Sequence, residues 1–331
     1  MSEIEGRLQQ TWEVSAFDRV NNEWTTKLNH SFDHTPEIDK DMFVTQAPPI
    51  RITPSKRKPP TSDYQERIMG IGDIHFPFQN NAKLALASLA IREMQPDTVV
   101  LLGDNLDNAP FSRFEIRGEW VGSAQEGIDQ YAEFLGQLRA DVPNASIIWH
   151  QGNHDVRQEK QLRNYNGELL GIKRAGETLG ALTLGYLLRC EELGVEYISG
   201  YPTSEYWHGD NFKSHHGHVT NSQGFAGSKT IKTETVSTMT GHTHQAGIVE
   251  RTLRVGRDER TIYAIEAGTY ADPSQIPSGA YATTESGNQL RQSHNWQTAV
   301  PYILRDEEMV VPYMFPIQNG AIDIFGKKYK S

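Results

Sequence analysis

The stretch Arg67-Ile-Met-Gly-Ile-Gly-Asp-Ile-His-Phe76 sets a pattern that later parts of the chain repeat. Its apolar residues predict a buried strand, and the strand is followed at once by Asp73 and His75. Sites in α/β sheets form at the carboxyl ends of the strands. Asp73 and His75 are two residues apart, so their side chains point the same way if the backbone there is extended. We therefore expect both side chains to bind one metal ion.

Four later segments also combine a predicted strand end with a glycine and metal-ligating polar residues. They are Gly103-Asp104, Gly152-Asn-His-Asp155, His216-Gly217 and Gly241-His-Thr-His244. Each motif alone is weak, because a single histidine or a Gly-Asp turn has many structural uses. All the motifs fall at predicted strand ends, and imidazole and carboxylate groups together suit divalent transition metals. The set therefore indicates one shared metal site.

The pattern of apolar residues predicts an α/β fold. Strands at 66–76, 98–102 and 145–149 alternate with helices that begin near Asn81 and at 124–139, so the first two strands should lie parallel. Residues 156–193 have a helical pattern that breaks near two glycines. After them the period changes from 3.6 to 2, with a hairpin at 246–255 and 260–266. This order indicates two sheets packed together with helices outside.

Three segments differ in composition. Residues 1–65 predict an N-terminal extension that ends in a linker rich in proline and basic residues, at Ala47–Pro60. Residues 66–275 hold all the motifs and form the predicted catalytic domain. Residues 276–331 predict a strand-rich tail packed on that core. The Lys56-Arg57-Lys58 cluster fits a solvated linker better than a nucleic-acid contact.

Composition restricts where the protein works and what it contacts. The chain has no apolar run of 18 residues and no signal peptide at its start, so no membrane partner is expected. Cys190 is the single cysteine, which excludes an internal disulfide and fits the cytoplasm. The net charge of -10 argues against a surface that binds nucleic acid through basic residues alone. Two divalent ions would offset about four of these charges where an anionic substrate docks.

These motifs resemble the calcineurin-like metallophosphoesterase family over about residues 66–272. The resemblance implies a four-layer α/β/β/α sandwich of two mixed sheets with two divalent metal ions at the sheet edges. It implies that Asp104 bridges the two ions. The other ligands that it implies are Asp73, His75 and His244 for the first ion and Asn153, His216 and His242 for the second. His216 is preferred to its neighbour His215 because the family places the ligand directly before glycine.

The resemblance also implies a reaction. Mn²⁺ is the leading metal, with iron, zinc, magnesium and nickel as alternatives. A hydroxide between the ions is the expected nucleophile, because metal binding lowers the pKa of water to about 7. His154 is expected to protonate or stabilise the leaving oxygen, with Asp155 holding its ring. Asp107 could support Asp104 or simply belong to a turn, and His218 could contact substrate or lie in an exposed turn.

The leading substrate is a phosphodiester in nucleic acid or nucleotides, as in a DNA nuclease. The Ser/Thr phosphatases of this family carry arginine and glutamate where this chain has Asn108 and Asp155. The segment Gly103–Ser112 is similar to SbcCD-type repair nucleases, and two C-terminal segments are faintly similar to phage-encoded phosphoesterases. The alternatives are a phosphomonoesterase and a non-catalytic metal-binding scaffold. Candidate substrate contacts, each with ordinary packing or solvation as the alternative, are Lys173, Arg174, Lys229, Lys232, Phe76, Phe78, Phe111 and Phe114.

Overall fold

The computed structural model describes residues 7–18, 23–33, 63–113, 120–220, 225–276 and 295–331. The chain divides into two units, Met1–Ile50 and Arg51–Ser331. In the first unit, strands β1 (Arg7–Asp18) and β2 (Glu23–Asp33) pair antiparallel. Sequence analysis did not predict this pair. The predicted linker and its basic cluster lie outside the described residues, and the domain boundaries at 65 and 275 stay predictions.

In the described residues of the second unit, strands alternate with helices from β3 (Glu66–Ile71) to β6. Its helices are α1 (Asn81–Met94), α2 (Ser123–Asp141), α3 (Arg157–Asn166), α4 (Glu168–Gly171), α5 (Leu184–Leu187), α6 (Cys190–Leu193) and α7 (Gly227–Thr233). The further strands are β4 (Thr98–Leu101), β5 (Ser146–His150), β6 (Val195–Ile198), β7 (Tyr206–Trp207), β8 (Phe212–Ser214), β9 (Ser237–Thr240), β10 (Ala246–Val255), β11 (Asp258–Ala267), β12 (Ala299–Arg305), β13 (Val310–Gln318), β14 (Ala321–Ile324) and β15 (Lys327–Lys330).

Two mixed sheets carry these strands. The larger has the order β15-β14-β13-β12-β3-β4-β5-β6, and the smaller β10-β11-β9-β8-β7. Strands β3 to β6 run parallel, which confirms the predicted βαβ arrangement. The predicted hairpin is β10 with β11, in antiparallel register from Ala246↔Ala267 to Val255↔Asp258. β12 pairs with β3, so the C-terminal strands extend the larger sheet.

The two sheets pack face to face through a buried apolar core. That core joins Ile68, Val100, Leu102 and Ile303 of the larger sheet to Phe212, Met239, Ile265 and Ala267 of the smaller. On the outer side of the larger sheet, Tyr131 of α2 packs edge-on against Trp149 of β5. On the smaller sheet, Ile231 of α7 packs against Ile262 and Ala264. The layers are therefore helix, sheet, sheet and helix, and the predicted α/β sandwich is confirmed.

Two local predictions need correction. β3 ends at Ile71 and not at residue 76, because the chain leaves the extended conformation at Asp73. Residues 156–193 do not form a long helix with two breaks. They form α3 and three helices of four residues each, separated by turns. The shorter β3 matters for function, because the first predicted metal ligands lie in the loop beyond the strand.

Candidate metal centre

The first group of candidate ligands comes from the loops after β3 and β9. Asp73, His75 and His244 offer donor atoms that all lie within 4.8 Å of one another. His244 Nε2 lies 3.3 Å from Asp73 Oδ1 and 3.2 Å from His75 Nε2. The Asp73 carboxylate also accepts a hydrogen bond from the backbone N–H of His242, at 2.9 Å. Residues far apart in the chain thus meet in one place, as the motif order predicts.

The second group combines four loops, which follow β4, β5, β8 and β9. Asp104, His216 and His242 again place donor atoms within 4.8 Å of one another. Asn153 joins them, because its Oδ1 lies 2.7 Å from His242 Nδ1 and 3.2 Å from His216 Nε2. His216 Nε2 is 3.4 Å from Asp104 Oδ2. The structure therefore brings together all four residues expected around the second ion.

The backbone at these ligands is unusual. Five of the seven have positive φ: Asp73 (51°), His75 (60°), Asp104 (49°), His242 (74°) and His244 (59°). Residues other than glycine seldom adopt this left-handed region, and doing so costs of order 1–3 kcal/mol each. Such conformations persist only where the surrounding structure holds them. The expectation that Asp73 and His75 converge because their backbone is extended is therefore wrong, although the two side chains do converge.

Burial and charge determine the protonation of these groups. Asp73 and His75 are fully buried, and Asp104 and His216 are 2% exposed. Burial lowers the pKa of His75 to about 4, so the ring is neutral at pH 7 and has a lone pair to give. Burial also lowers the pKa of His216, but the carboxylates of Asp104 and Asp73 outweigh it and raise the pKa to about 9. A cation bound there would replace that proton against the same carboxylates.

The donor set fits divalent metal ions. It contains two carboxylates, four imidazoles and one amide, a mixture that borderline metals accept. The ring nitrogens of His75 and His244 face each other at 3.2 Å, and two lone pairs at that distance need a shared proton or a cation between them. Two buried carboxylates nearby supply negative charge that a cation offsets. The residues present therefore suit a pair of metal ions.

His154 lies beside the first group and is oriented by Asp107. The rings of His75 and His154 meet edge to face, with centroids 4.6 Å apart. His154 Nδ1 lies 3.1 Å from the backbone carbonyl oxygen of Asp107 and 3.3 Å from its buried carboxylate, which also lies 2.9 Å from His75 Nδ1. Because the Asp107 carboxylate holds Nδ1 of His75, the Nε2 atom of the His75 ring faces His244. A partner of this kind fixes the orientation of a ligand ring and raises its basicity.

Asp155 has a different role from the one predicted. Its carboxylate accepts hydrogen bonds from the backbone N–H groups of Asp104 (2.8 Å), Leu106 (3.0 Å) and Gly152 (2.8 Å). The expectation that it holds the His154 ring is wrong. His154 and Asp155 are neighbours in the chain, but their side chains point in different directions. Asp155 ties the loop after β4 to the loop after β5, and so holds Asp104 near Asn153.

Other candidates from the sequence lie elsewhere. His215 and His218 line a separate cavity of about 100 Å³ together with Glu266. Phe76 is buried and stacks on Tyr131, so it belongs to the core and does not form a rim. Lys229 Nζ donates to the carbonyl oxygen of Thr220, and Lys173 Nζ to that of Thr178. Phe114 lies outside the described residues.

A basic cavity beside the candidate ligands was not predicted. It has a volume of about 480 Å³ and is lined by Phe111, Arg113, Asn153, Arg157 and Lys160, among others. The Arg157 guanidinium donates to the backbone carbonyl of Asp107 at 2.9 Å, and its second terminal nitrogen lies 3.0 Å from His154 Nε2. Arg157 and Lys160 follow Asp155 at a spacing that places both cations on one face of a helix. This spacing was the signal in the sequence that could have predicted the basic cavity.

A model of the calcineurin-like phosphoesterase family matches residues 66–247. The chain belongs to this family. Membership of the calcineurin-like phosphoesterases identifies it as a metal-dependent phosphoester hydrolase. Among relatives, the Gene 54 protein of Mycobacterium phage L5 is 26% identical over 275 residues, which span 80% of this chain and 99% of that protein. The Gene 54 protein of phage D29 is also 26% identical, over 79% of this chain and 97% of its own length.

Solved structures that match include zinc-complexed Vps29 of Entamoeba histolytica, with a TM-score of 0.35 and 12% identity over 80% of this chain and 98% of that one. Vps29 of Cryptosporidium parvum matches with a TM-score of 0.32 and 11% identity, over 81% of this chain and 100% of that one. In the part of the chain that the structure describes, no helix is both long and apolar enough to cross a bilayer.

Proposed function

We propose that this protein is a dinuclear metal-dependent phosphodiesterase that acts on nucleic acid or nucleotides, as a DNA nuclease does. The observation that carries the proposal is the convergence of seven donor side chains from five loops next to His154. Asp73, His75 and His244 would hold one ion, and Asn153, His216 and His242 the other. Asp104 would contact both. Mn²⁺ is the metal we favour, since four imidazoles make a poor site for magnesium.

When bound, the metal pair would supply an activated water and would offset the charge of the phosphate. The chain's own residues would transfer a proton, bind the phosphate and hold the loops of the site in place. His154 has Nδ1 turned to Asp107, and its Nε2 atom accepts a hydrogen bond from Arg157 in this structure. Nε2 would give a proton to the leaving oxygen from the imidazolium form, with the Arg157 guanidinium moved onto the phosphate. Arg157 lies at that same Nε2 atom, where its guanidinium can donate hydrogen bonds to a phosphate oxygen. Asp155 keeps the loops of Asp104 and Asn153 in place.

Support for a diester substrate comes from the space beside the ligands. A cavity of about 480 Å³ is large enough for more than a single phosphate group, and Asn153 lies in its wall. One observation favours the second candidate, a phosphomonoesterase. A guanidinium that lies 3.0 Å from His154 Nε2 is well placed to pair with the two negative charges of a terminal phosphate.

A hydrolysis panel separates these candidates. The purified protein with Mn²⁺ is assayed on bis(p-nitrophenyl) phosphate, p-nitrophenyl phosphate and labelled single-stranded DNA. We expect turnover of the diester and of DNA. Activity on the monoester alone would reject the proposal in favour of a phosphomonoesterase, and no turnover with manganese, iron, zinc, magnesium or nickel would favour a scaffold.

His154→Asn tests the residue proposed as the acid. It should lower kcat on the diester by about 10²–10⁴-fold, the usual contribution of acid–base catalysis, while two metals per chain remain by elemental analysis. His218→Asn is the matched control, because His218 is exposed and lies by the other cavity. Unchanged turnover in His154→Asn would remove His154 from the mechanism.

The remaining proposals concern organisation and location. We infer a cytoplasmic protein from the single cysteine, Cys190, which is buried in α6. We further propose that residues 66–275 form the catalytic domain, preceded by an extension at 1–65 and followed by the tail at 276–331. Loss of turnover on removal of residues 1–65 would contradict this division.

A further inference from the structure

A short segment of the C-terminal part of the chain, residues 295–298, reaches the candidate metal centre. The indole of Trp296 packs against the imidazole of His244, with ring centroids 4.3 Å apart and planes at 77°. His244 belongs to the first group of candidate ligands. The family model ends at residue 247, and the proposed tail begins at residue 276. Trp296 therefore contacts the site from a part of the chain that contains none of the motifs.

Backbone hydrogen bonds hold this segment against the loop of His244. The backbone N–H of Gln297 donates to the carbonyl oxygen of His244 at 3.0 Å, and the Gln297 carbonyl accepts the N–H of Thr269 at 2.8 Å. The side-chain oxygen of Gln297 also accepts the N–H of Ala246, at 3.1 Å. Because the residue after Trp296 is fixed on both sides, the backbone keeps the indole beside the His244 ring.

The same segment is linked to the loop of Asp73. The Thr298 hydroxyl donates to the carbonyl oxygen of Thr269 at 2.7 Å, and the Thr269 hydroxyl donates to the carbonyl oxygen of Asp73 at 2.7 Å. All three residues are buried. A short chain of hydrogen bonds thus joins the segment to Asp73, while Gln297 joins it to His244. Both ligands belong to the first group.

The orientation of the His244 ring decides whether it can bind a metal ion. Its Nε2 atom lies 3.3 Å from Asp73 Oδ1 and 3.2 Å from His75 Nε2, so Nε2 is the donor atom. The lone pair lies in the ring plane, and the χ2 torsion of histidine is broad, so a neighbouring group has to fix that plane. For His75 the Asp107 carboxylate does so, at 2.9 Å. At His244 the indole of Trp296 lies against the ring and restricts its rotation.

We infer that Trp296 is a positioning residue for the candidate metal ligand His244. Its indole fixes the imidazole plane so that Nε2 faces Asp73 and His75, where the first ion would bind. The inference rests on the metal centre of the proposed function and adds to that centre a residue of the proposed tail. Trp296 touches the ligand and not the reacting atoms, so its effect appears first in metal affinity.

Calorimetric titration of the metal-free protein with Mn²⁺ tests the inference without hydrolysis. Trp296→Ala should weaken the binding of one ion by about 10–100-fold, as loss of a ligand's orienting partner does, and weaken the other ion less. Trp296→Phe should restore the affinity, because a phenyl ring can also pack against the imidazole. Trp207→Ala is the matched control, since Trp207 is 50% exposed and its ring lies beneath the ammonium of Lys213. Tm in EDTA is measured for each variant, which separates loss of packing from loss of metal.

Fluorescence gives a second test that does not depend on the folding of Trp296→Ala. A bound Co²⁺ ion quenches the emission of an adjacent indole, so part of the wild-type emission should be lost when Co²⁺ binds. Trp296→Phe should lack that part of the quenching, and Trp207→Phe should keep it. Equal quenching in the two variants would overturn the inference.

The titration has outcomes that separate this inference from the proposed function. Equal Mn²⁺ affinities for Trp296→Ala and the wild type would overturn the role of Trp296, whether or not Tm in EDTA falls. Failure of Trp296→Phe to restore an affinity lost in Trp296→Ala would also count against it. A wild-type protein that binds two ions but does not hydrolyse bis(p-nitrophenyl) phosphate would reject the phosphodiesterase, while the titration still decides on Trp296.

Discussion

Asp155→Asn distinguishes a structural carboxylate from a catalytic one. One oxygen of Asp155 accepts the N–H groups of Asp104 and Gly152, and the other accepts that of Leu106. An amide keeps one oxygen, so in its better orientation its NH₂ group faces the Leu106 N–H and leaves that donor without an acceptor. A buried unsatisfied donor costs about 1–3 kcal/mol. For a domain of this size, 1 kcal/mol lowers Tm by about 2–4 °C, so we expect a decrease of roughly 2–12 °C.

The assay is thermal unfolding in EDTA, followed by circular dichroism, beside metal binding by titration calorimetry. Asp107→Asn is the matched control. The Asp107 carboxylate contacts the rings of His75 and His154, whereas the Asp155 carboxylate accepts hydrogen bonds from backbone amides. It should weaken metal binding about 10–100-fold, as loss of a ligand's orienting partner does, with a smaller change in Tm. If Asp155→Asn kept the wild-type Tm but abolished turnover, Asp155 would act on His154 after all.

Three further predictions concern the packing at Gly152, the effect of metal removal on Tm, and the reactivity of the Cys190 thiol. A Cβ at Gly152 would overlap the carboxylate and the backbone nitrogen of Asp104. Gly152→Ala should therefore lower the metal content, measured by elemental analysis, below two ions per chain. Gly171→Ala is the control and should keep the wild-type metal content, because a Cβ at Gly171 would enter open space. Removal of metal should lower Tm, because a ligand at 100 times its Kd stabilises the folded state by about 2.7 kcal/mol. Tm is measured by calorimetry with Mn²⁺ and with EDTA. Equal Tm values in the two conditions would contradict a metal site in the fold. Burial raises the pKa of Cys190 to about 12, so iodoacetamide at pH 8 should label it only after denaturation, as mass spectrometry would show.

The parts of the fold that sequence predicts are those set by local patterns. Short apolar runs such as Val99–Leu102 and the glycines directly after them mark both the strand and its end, so the sequence alone indicates which loops form the site. The pairing of β10 with β11 follows from alternation around a polar turn. The strands β1 and β2 were missed, although Trp12, Val14 and Ala16 alternate with polar residues in the sequence.

Contacts between loops could not be predicted in the same way. Asp107 and Asp155 are both acidic residues in motif segments, and their spacing does not show which one reaches the His154 ring. That choice depends on backbone conformations such as the positive φ of Asp104 and Asn108, which only the packed loops impose. Arg157 and Lys160 were missed for a related reason. They follow Asp155 at helical spacing, but that spacing does not show that α3 lines a cavity together with Asn153.

Anomalous diffraction from a crystal soaked in Mn²⁺ tests the metal centre most directly. We expect two peaks separated by roughly 3.5–4 Å, with the Asp104 carboxylate in contact with both. His75 should coordinate one ion and His242 the other. A single peak, or two peaks with Asp104 coordinating neither, would contradict the dinuclear site on which the proposed hydrolysis depends.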